Sequence, residues 1–379
     1  MPGAGPWSSG RAVVVGRAQK PSAIRTVVDQ RAVEIVDRSH FTGFPVIDRV
    51  PHPDQTDSDS STVILMTVRG VDMQDARILV TGGAGFIGSN LANHLADAGN
   101  DVLALDNGYL GTEGNLDEAV EYVDADVLDE DLPTDVDVVF HLAALSSRQM
   151  LEENPREGAR VNIEGFVNVV EQAYADGCDT VVYASTSSAY GSRTEPSPED
   201  MDLEAATGYD ASMLGRERYA EYYNNFYDDL TCAGMRFFSV YQGYAGNEAH
   251  KGEYANTVSQ FADKIANGES PVLWGDGSQT RDFTHVDDIV RGLIATADHG
   301  LTGVYNLGTG DPYSFNEMID LINDALGTDV EPEYEPIPLE NYVHDTCADI
   351  SRIREATGWE PEIDFEDGVA RVCEPYLDA

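Results

Sequence analysis

The chain has 379 residues, 42% of them hydrophobic, enough to bury a large α/β core and to exclude disorder throughout. Against 68 acidic residues stand only 23 basic ones, a formal charge of −45, which opposes binding to nucleic-acid phosphate or to an anionic membrane surface. No apolar run approaches the ~20 residues of a membrane span, no basic-then-apolar leader opens the chain, and Cys178, Cys232, Cys347 and Cys373 are too scattered for a C-x-x-C metal site, so no metal is expected and the cytoplasm is the expected location.

Residues 1–72 differ from the rest in composition: 8 basic and 8 acidic residues, against 15 and 60 in residues 73–379. They hold short β-like stretches such as 12–15 and a polar run over 54–62 without sustained periodicity. This segment is expected to be an extension outside the fold, and Met66 and Met73 each stand close enough to the first strand to serve as starts. Beyond it the acidic excess is spread over every presumed helix and loop rather than gathered in a tail, and the whole chain has three lysines, Lys20, Lys251 and Lys264. The pattern resembles proteins of salt-accumulating archaea.

From residue 73, β-rich runs at 77–81, 101–106, 120–123, 136–142, 180–184 and 231–237 alternate with helical runs, which predicts a parallel, doubly wound sheet over residues 73–240. Beyond Tyr241 the pattern becomes irregular, with helices predicted near 254–267 and 314–326 and turn signals at Gly275–Ser278. Residues 241–379 are expected to form a smaller substrate-binding region with segments returning to the core.

The first strand runs into Gly82, Gly83, Ala84, Gly85, Phe86, Ile87 and Gly88, after which Ile87, Leu91 and Leu95 recur at helical spacing until Gly99 and Asn100. Strand, glycine turn and helix in this order form a dinucleotide cradle. Side chains there would keep the backbone from the pyrophosphate, which sits on the free N–H groups at the helix start, so Gly82, Gly85, Phe86, Ile87 and Gly88 are assigned to it. Asp106 ends the next strand 18 residues after Gly88, where a carboxylate accepts from both ribose hydroxyls. It would repel a 2′-phosphate, and no arginine follows closely, which favours NAD over NADP. Asn107, Asp126, Val127 and Ala143 are placed along the same site, Asp126 either at the adenine edge or as a solvated loop carboxylate. His141 is read as a buried structural histidine.

Taken with Thr81–Gly88, the stretches His141-Leu142-Ala143-Ala144, Asn162 with Gly165, Ala184–Gly191, Gly275–Phe283 and Asn306–Gly310 resemble the extended short-chain dehydrogenase/reductase family, and within it the NAD-dependent nucleotide-sugar 4-epimerases. The resemblance covers about residues 75–379. It implies a Rossmann-type fold, a nucleotide-sugar substrate, a homodimer, Thr186 as the hydroxyl on the sugar O4 and Tyr209 as the general base, with Ser147, Ser239 and Arg281 on the substrate. Related dehydratases carry an Asp-Glu pair where Ser187 and Ser188 stand, so water elimination is disfavoured.

The sequence departs from the family pattern at three points. A lysine is usual four residues after the tyrosine, on the same helix face, and Met213 stands there. Arg216 is a possible substitute cation, read as a solvated helix arginine. Ser239 follows Phe238 where relatives carry an asparagine, and a second phosphate-binding arginine is replaced by Leu339 or His344. Arg281 either meets a phosphate or pairs with Asp282 or Asp287. C4 epimerisation of a UDP-hexose is therefore expected, with a catalytically impaired NAD- and nucleotide-sugar-binding protein, or oxidation or decarboxylation on the same fold, as alternatives.

Overall fold

The computed structural model describes residues 73–339 and 341–377; the expected N-terminal extension, residues 1–72, lies outside them. Six strands follow one another through the first part of the chain: β1 (Arg77–Thr81), β2 (Asp101–Asp106), β3 (Glu121–Asp124), β4 (Val138–His141), β5 (Thr180–Thr186) and β6 (Thr231–Phe237). A seventh, β7 (Gly303–Leu307), returns from the C-terminal part and pairs with β6. All six pairings are parallel, in the order β3-β2-β1-β4-β5-β6-β7. The order reverses between β1 and β4, and a sheet of this kind opens a crevice at the carboxyl ends of its strands there.

Both faces of the sheet are covered, so its central strands are apolar almost throughout. Helix α1 (Phe86–Asp97) packs Leu91 and Leu95 on Ile78, Val80 and Val102. The opposite face, with Leu79, Val139 and Val181, is covered by α2 (Gly165–Asp176) and α3 (Gly208–Phe226) through Phe166, Val169, Ala220 and Tyr223. A π-helical turn, Arg160–Glu164, leads into α2. Thr207 and Asp210 form a reciprocal capping box that fixes where α3 begins.

The C-terminal part builds a second core from α4 (Thr257–Ala266), α6 (Phe315–Leu326) and α7 (Phe365–Leu377), packed around Phe283 and Tyr241. Between α4 and α6, α5 (Val286–Asp298) returns to the sheet, where Ile289 and Leu293 join the α1 face. The segment read from sequence as irregular thus contains a helix and a strand of the main layers. Apolar spacing at 289, 290, 293 and 297 supports α5, while β7 is only five residues long, begins at a glycine and takes its strand character from the pairing with β6.

The glycine turn is set by close approach. Gly82 has φ +67°, and a β-carbon there would lie 2.8 Å from the Ala143 nitrogen at the end of β4. At Gly88 a β-carbon would lie 2.1 Å from the Gly82 carbonyl oxygen, so no rotamer change can relieve the overlap. Gly88→Ala is expected to cost about 1–3 kcal/mol of stability through forced backbone movement, read from denaturant unfolding; an unchanged midpoint would show that the turn is looser than this packing requires.

Candidate active site

A cleft of about 440 Å³ opens at the carboxyl ends of β1, β2, β4 and β5. All the residues assigned from sequence to the cofactor line it: Gly82, Gly85, Phe86, Ile87, Gly88, Asp106, Asn107, Asp126, Val127, Ala143 and Tyr209. Helix α1 starts at Phe86 after Gly85, which offers no side-chain cap, leaving its first N–H groups facing the cleft for an anion. Asp106 is 8% exposed. One of its oxygens accepts from the Ala84 nitrogen at 3.2 Å and the other from the Gly108 nitrogen at 2.9 Å, so each keeps a lone pair for a further donor. Burial raises its carboxyl above the usual range, while these backbone bonds and the nearby His250 oppose the rise. Asn107 Nδ2 donates to Asp126 at 2.8 Å, and Asp126 also accepts from the Leu128 nitrogen at 2.9 Å, which ties that carboxylate into its own turn. A turn too tight for a β-carbon, free helix N–H groups and a carboxylate at the second strand end fit a dinucleotide bound across the switch point.

Tyr209, in the first turn of α3, and Thr186, at the end of β5, line the same cleft. Thr186 Oγ1 lies 2.9 Å from Ser188 Oγ and accepts from the Ser188 nitrogen at 3.1 Å. Ser188 in turn donates to the buried Asp210 carboxylate. Thr186 is thereby linked through Ser188 to Asp210, whereas Ser185 donates at 2.6 Å to Glu217. Glu217 itself closes a buried ion pair with Arg236 at 2.7 Å. Burial pushes the Tyr209 phenol above its ordinary value, the Thr186 hydroxyl and the positive charge of Arg216 oppose this, and Asp210 adds to it.

Met213 lines the cleft one turn beyond Tyr209, 1% exposed. Arg216, expected in solvent, is fully buried. Nε donates to the Asn162 carbonyl at 2.6 Å, Nη1 to Ala184 at 3.3 Å and Nη2 to Ala143 at 2.7 Å. The reason lies in helical spacing: residues 209, 213, 216, 220 and 223 share one face of α3, the face turned to the sheet. Asn162, on the π-helical turn, also bridges both backbone groups of Leu145 and donates to Ser212 at 3.0 Å, fixing the loop after β4. His141 is buried as expected, with Nδ1 3.0 Å from the Thr81 hydroxyl.

The residues assigned to the substrate separate. Thr186 and Ser239 line the cleft, Ser239 with φ +24°. Ser147 caps the short helix Arg148–Glu153 by accepting from the Met150 nitrogen, and its neighbour Ser146 faces the cleft instead. Arg281 lies outside the cleft lining, donating to the carbonyls of Thr280, Val343 and His344 and stacking on Phe315 and Tyr342. These carbonyls replace the carboxylate pair with Asp282 or Asp287 considered from sequence; Asp282 is buried and bound by Thr309, Gly310 and Ala348. Sequence reasoning missed His250 and Lys251, which line the cleft at the glycine-turn end. Lys251 Nζ stands 5.3 Å from the Phe86 ring centre, and His250 accepts from Asn115 at 3.0 Å. The available signal was the rarity of lysine.

Comparison with known proteins agrees with this geometry. Residues 78–308 match the model of the NAD dependent epimerase/dehydratase family. A putative UDP-glucose 4-epimerase of Methanocaldococcus jannaschii is 36% identical over 302 residues, 78% of this chain and 96% of that protein. A UDP-N-acetyl-alpha-D-glucosaminuronate decarboxylase of Bacillus cytotoxicus is 31% identical over 318 residues, 77% of this chain and 95% of that one. Among solved structures, the UDP-glucose 4-epimerase of Thermus thermophilus in complex with NAD superposes with a TM-score of 0.70 at 28% identity, covering 80% of this chain and 99% of the other. With the Rossmann-type sheet, the glycine cradle and the strand-end carboxylate in place, the chain belongs to the NAD-dependent epimerase/dehydratase family, and its cofactor is NAD.

Proposed function

We propose that this enzyme interconverts UDP-hexoses at C4 through a 4-keto intermediate. The observation that carries the reading is that Tyr209 and Thr186 line the same cleft as the glycine turn and Asp106. Bound NAD supplies the hydride acceptor and, after the sugar turns over, the hydride donor. Thr186 holds the C4 oxygen and Tyr209 takes its proton, returning it when the second face is reduced. Residues 241–379 form the substrate-binding region in this reading, with Ser239 near the sugar; Ser147 and Arg281 act there only if substrate binding redirects them. Water elimination lacks its acid-base pair, since Ser187 and Ser188 occupy those positions.

Exposed Tyr174 on α2 and Tyr219, Tyr222 and Phe226 on α3 support a homodimer through these helices. The spread of acidic residues supports a cytoplasm of high salt. Met213 favours one second reading, an NAD- and sugar-nucleotide-binding protein with little turnover; resolving the products formed from NAD and a panel of UDP-sugars separates this from epimerisation and from the decarboxylation named for one relative.

Four outcomes are expected. Asp106→Ala should narrow the preference for NAD over NADP, because it removes both the ribose acceptor and the repulsion of a 2′-phosphate; equal affinities in the unmodified protein would remove the assignment. A base works when deprotonated, and burial holds Tyr209 above the ordinary phenol value of about 10, so kcat should still climb with pH beyond about 9 and Met213→Lys should bring the climb to lower pH. Tyr209→Phe should lower kcat by at least about a hundredfold and spare NAD binding; retained turnover would discard Tyr209 as the base. Finally, the melting temperature should rise between 0.1 M and 2 M KCl as screening shortens the Debye length from ~10 Å to a few Å, and a flat profile would refute adaptation to salt.

A further inference from the structure

Arg216 carries a full charge into the protein interior, where its hydrogen-bond acceptors among the described residues are three backbone carbonyls. Taking a cation out of water without a paired carboxylate is costly, and three neutral acceptors are matched more cheaply by neutral donors. Burial lowers its guanidinium to about 10, which still leaves it charged at neutral pH. Two of its acceptors, Ala143 and Ala184, belong to the wall of the cleft, so the charge sits directly behind the surface that Tyr209 and Thr186 share. From Tyr209 to Arg216 is seven residues, almost two whole turns, on one face of α3, and a long helical side chain leans back toward the helix start. The position between them, one turn from Tyr209, holds neutral Met213.

We propose that Arg216 is the positioning residue that favours the Tyr209 phenolate, supplying from two turns away and behind the cleft wall the positive charge that Met213 lacks. This rests on the reading of Tyr209 as the base. The charged and titratable groups packed around the pair are Asp210 on α3, His141 on β4 and Tyr183 on β5. Asp210 opposes the phenolate; His141 is buried and held neutral, its ring held well below its ordinary value by burial and by Arg216; Tyr183 is held protonated by burial. The other bases of the cleft, His250 and Lys251, stand at the glycine-turn end beside Asn115 and Phe86. Arg216 is therefore placed to supply electrostatically part of what a lysine one turn from the tyrosine would supply, without reaching the substrate.

The test follows phenol ionisation rather than turnover. In the full chain labelled with ¹³C at tyrosine Cζ, the Tyr209 resonance is identified by its loss in Tyr209→Phe and titrated with pH. Arg216→Met should raise the midpoint by about one unit or more, roughly a tenfold loss of phenolate at fixed pH. Arg216→Lys should hold it near the unmodified value, and Met213→Lys combined with Arg216→Met should bring it back down. A purely structural clamp would lower stability in every Arg216 variant and leave the midpoint in place, which overturns the proposal. Should Arg216→Met fail to fold, the unmodified protein labelled with ¹⁵N-arginine decides: the Arg216 Nε signal must move with the Tyr209 midpoint, and a signal that stays flat through it overturns the proposal equally. If Tyr209→Phe keeps its turnover while these midpoints shift, the base assignment fails and the charge coupling stands.

Discussion

The carbonyl oxygens of Ala143, Asn162 and Ala184 come from three separate elements, the end of β4, the π-helical turn before α2 and the end of β5, and they converge on the guanidinium of Arg216. The planar fork of arginine suits such a meeting point, because its donors lie in fixed directions and lose little freedom when bound. The cleft wall is made of these strand ends. Across it, Gly82 approaches the Ala143 nitrogen too closely for any β-carbon, so the glycine turn and helix α3 are both referred to the same few backbone atoms. A shift of Ala143 would be felt on both sides.

The chain meets its anionic ligands with very little positive charge. Net charge of −45 works against phosphate at long range, and local groups must reverse it. At the glycine turn these are the N–H groups at the start of α1 and, from the far wall, Lys251 and His250. Backbone dipoles suit this composition, because they are fixed by the fold and independent of the surface residues.

Much of this was legible in the sequence where a local pattern and its physical cause coincide. The β1 strand, glycine turn and α1 were readable because each sits in its required order, and Asp106 followed from where β2 ends. Tyr209 and Thr186 rested on the resemblance, and both line the cleft. Arg216 was misread by residue type. Arginine is ordinarily solvated, yet the spacing from Met213 to Ala220 and Tyr223 puts it on the buried face of α3, and the three carbonyls that hold it are remote in sequence. Arg281 and Ser147 show the same limit: both are held by local backbone contacts that no motif records. Strand β7 was invisible because a five-residue run acquires its meaning only from its partner β6.

The central claim is that one bound cofactor takes and returns the hydride at a single sugar carbon, with Tyr209 moving the proton. UDP-glucose carrying deuterium at C4, incubated with the enzyme and NAD, tests it most directly. The account predicts UDP-galactose that retains deuterium at C4, with no net accumulation of NADH. Deuterium released into free NADH, or loss of carbon dioxide or water from the sugar in place of the isomer, would contradict it.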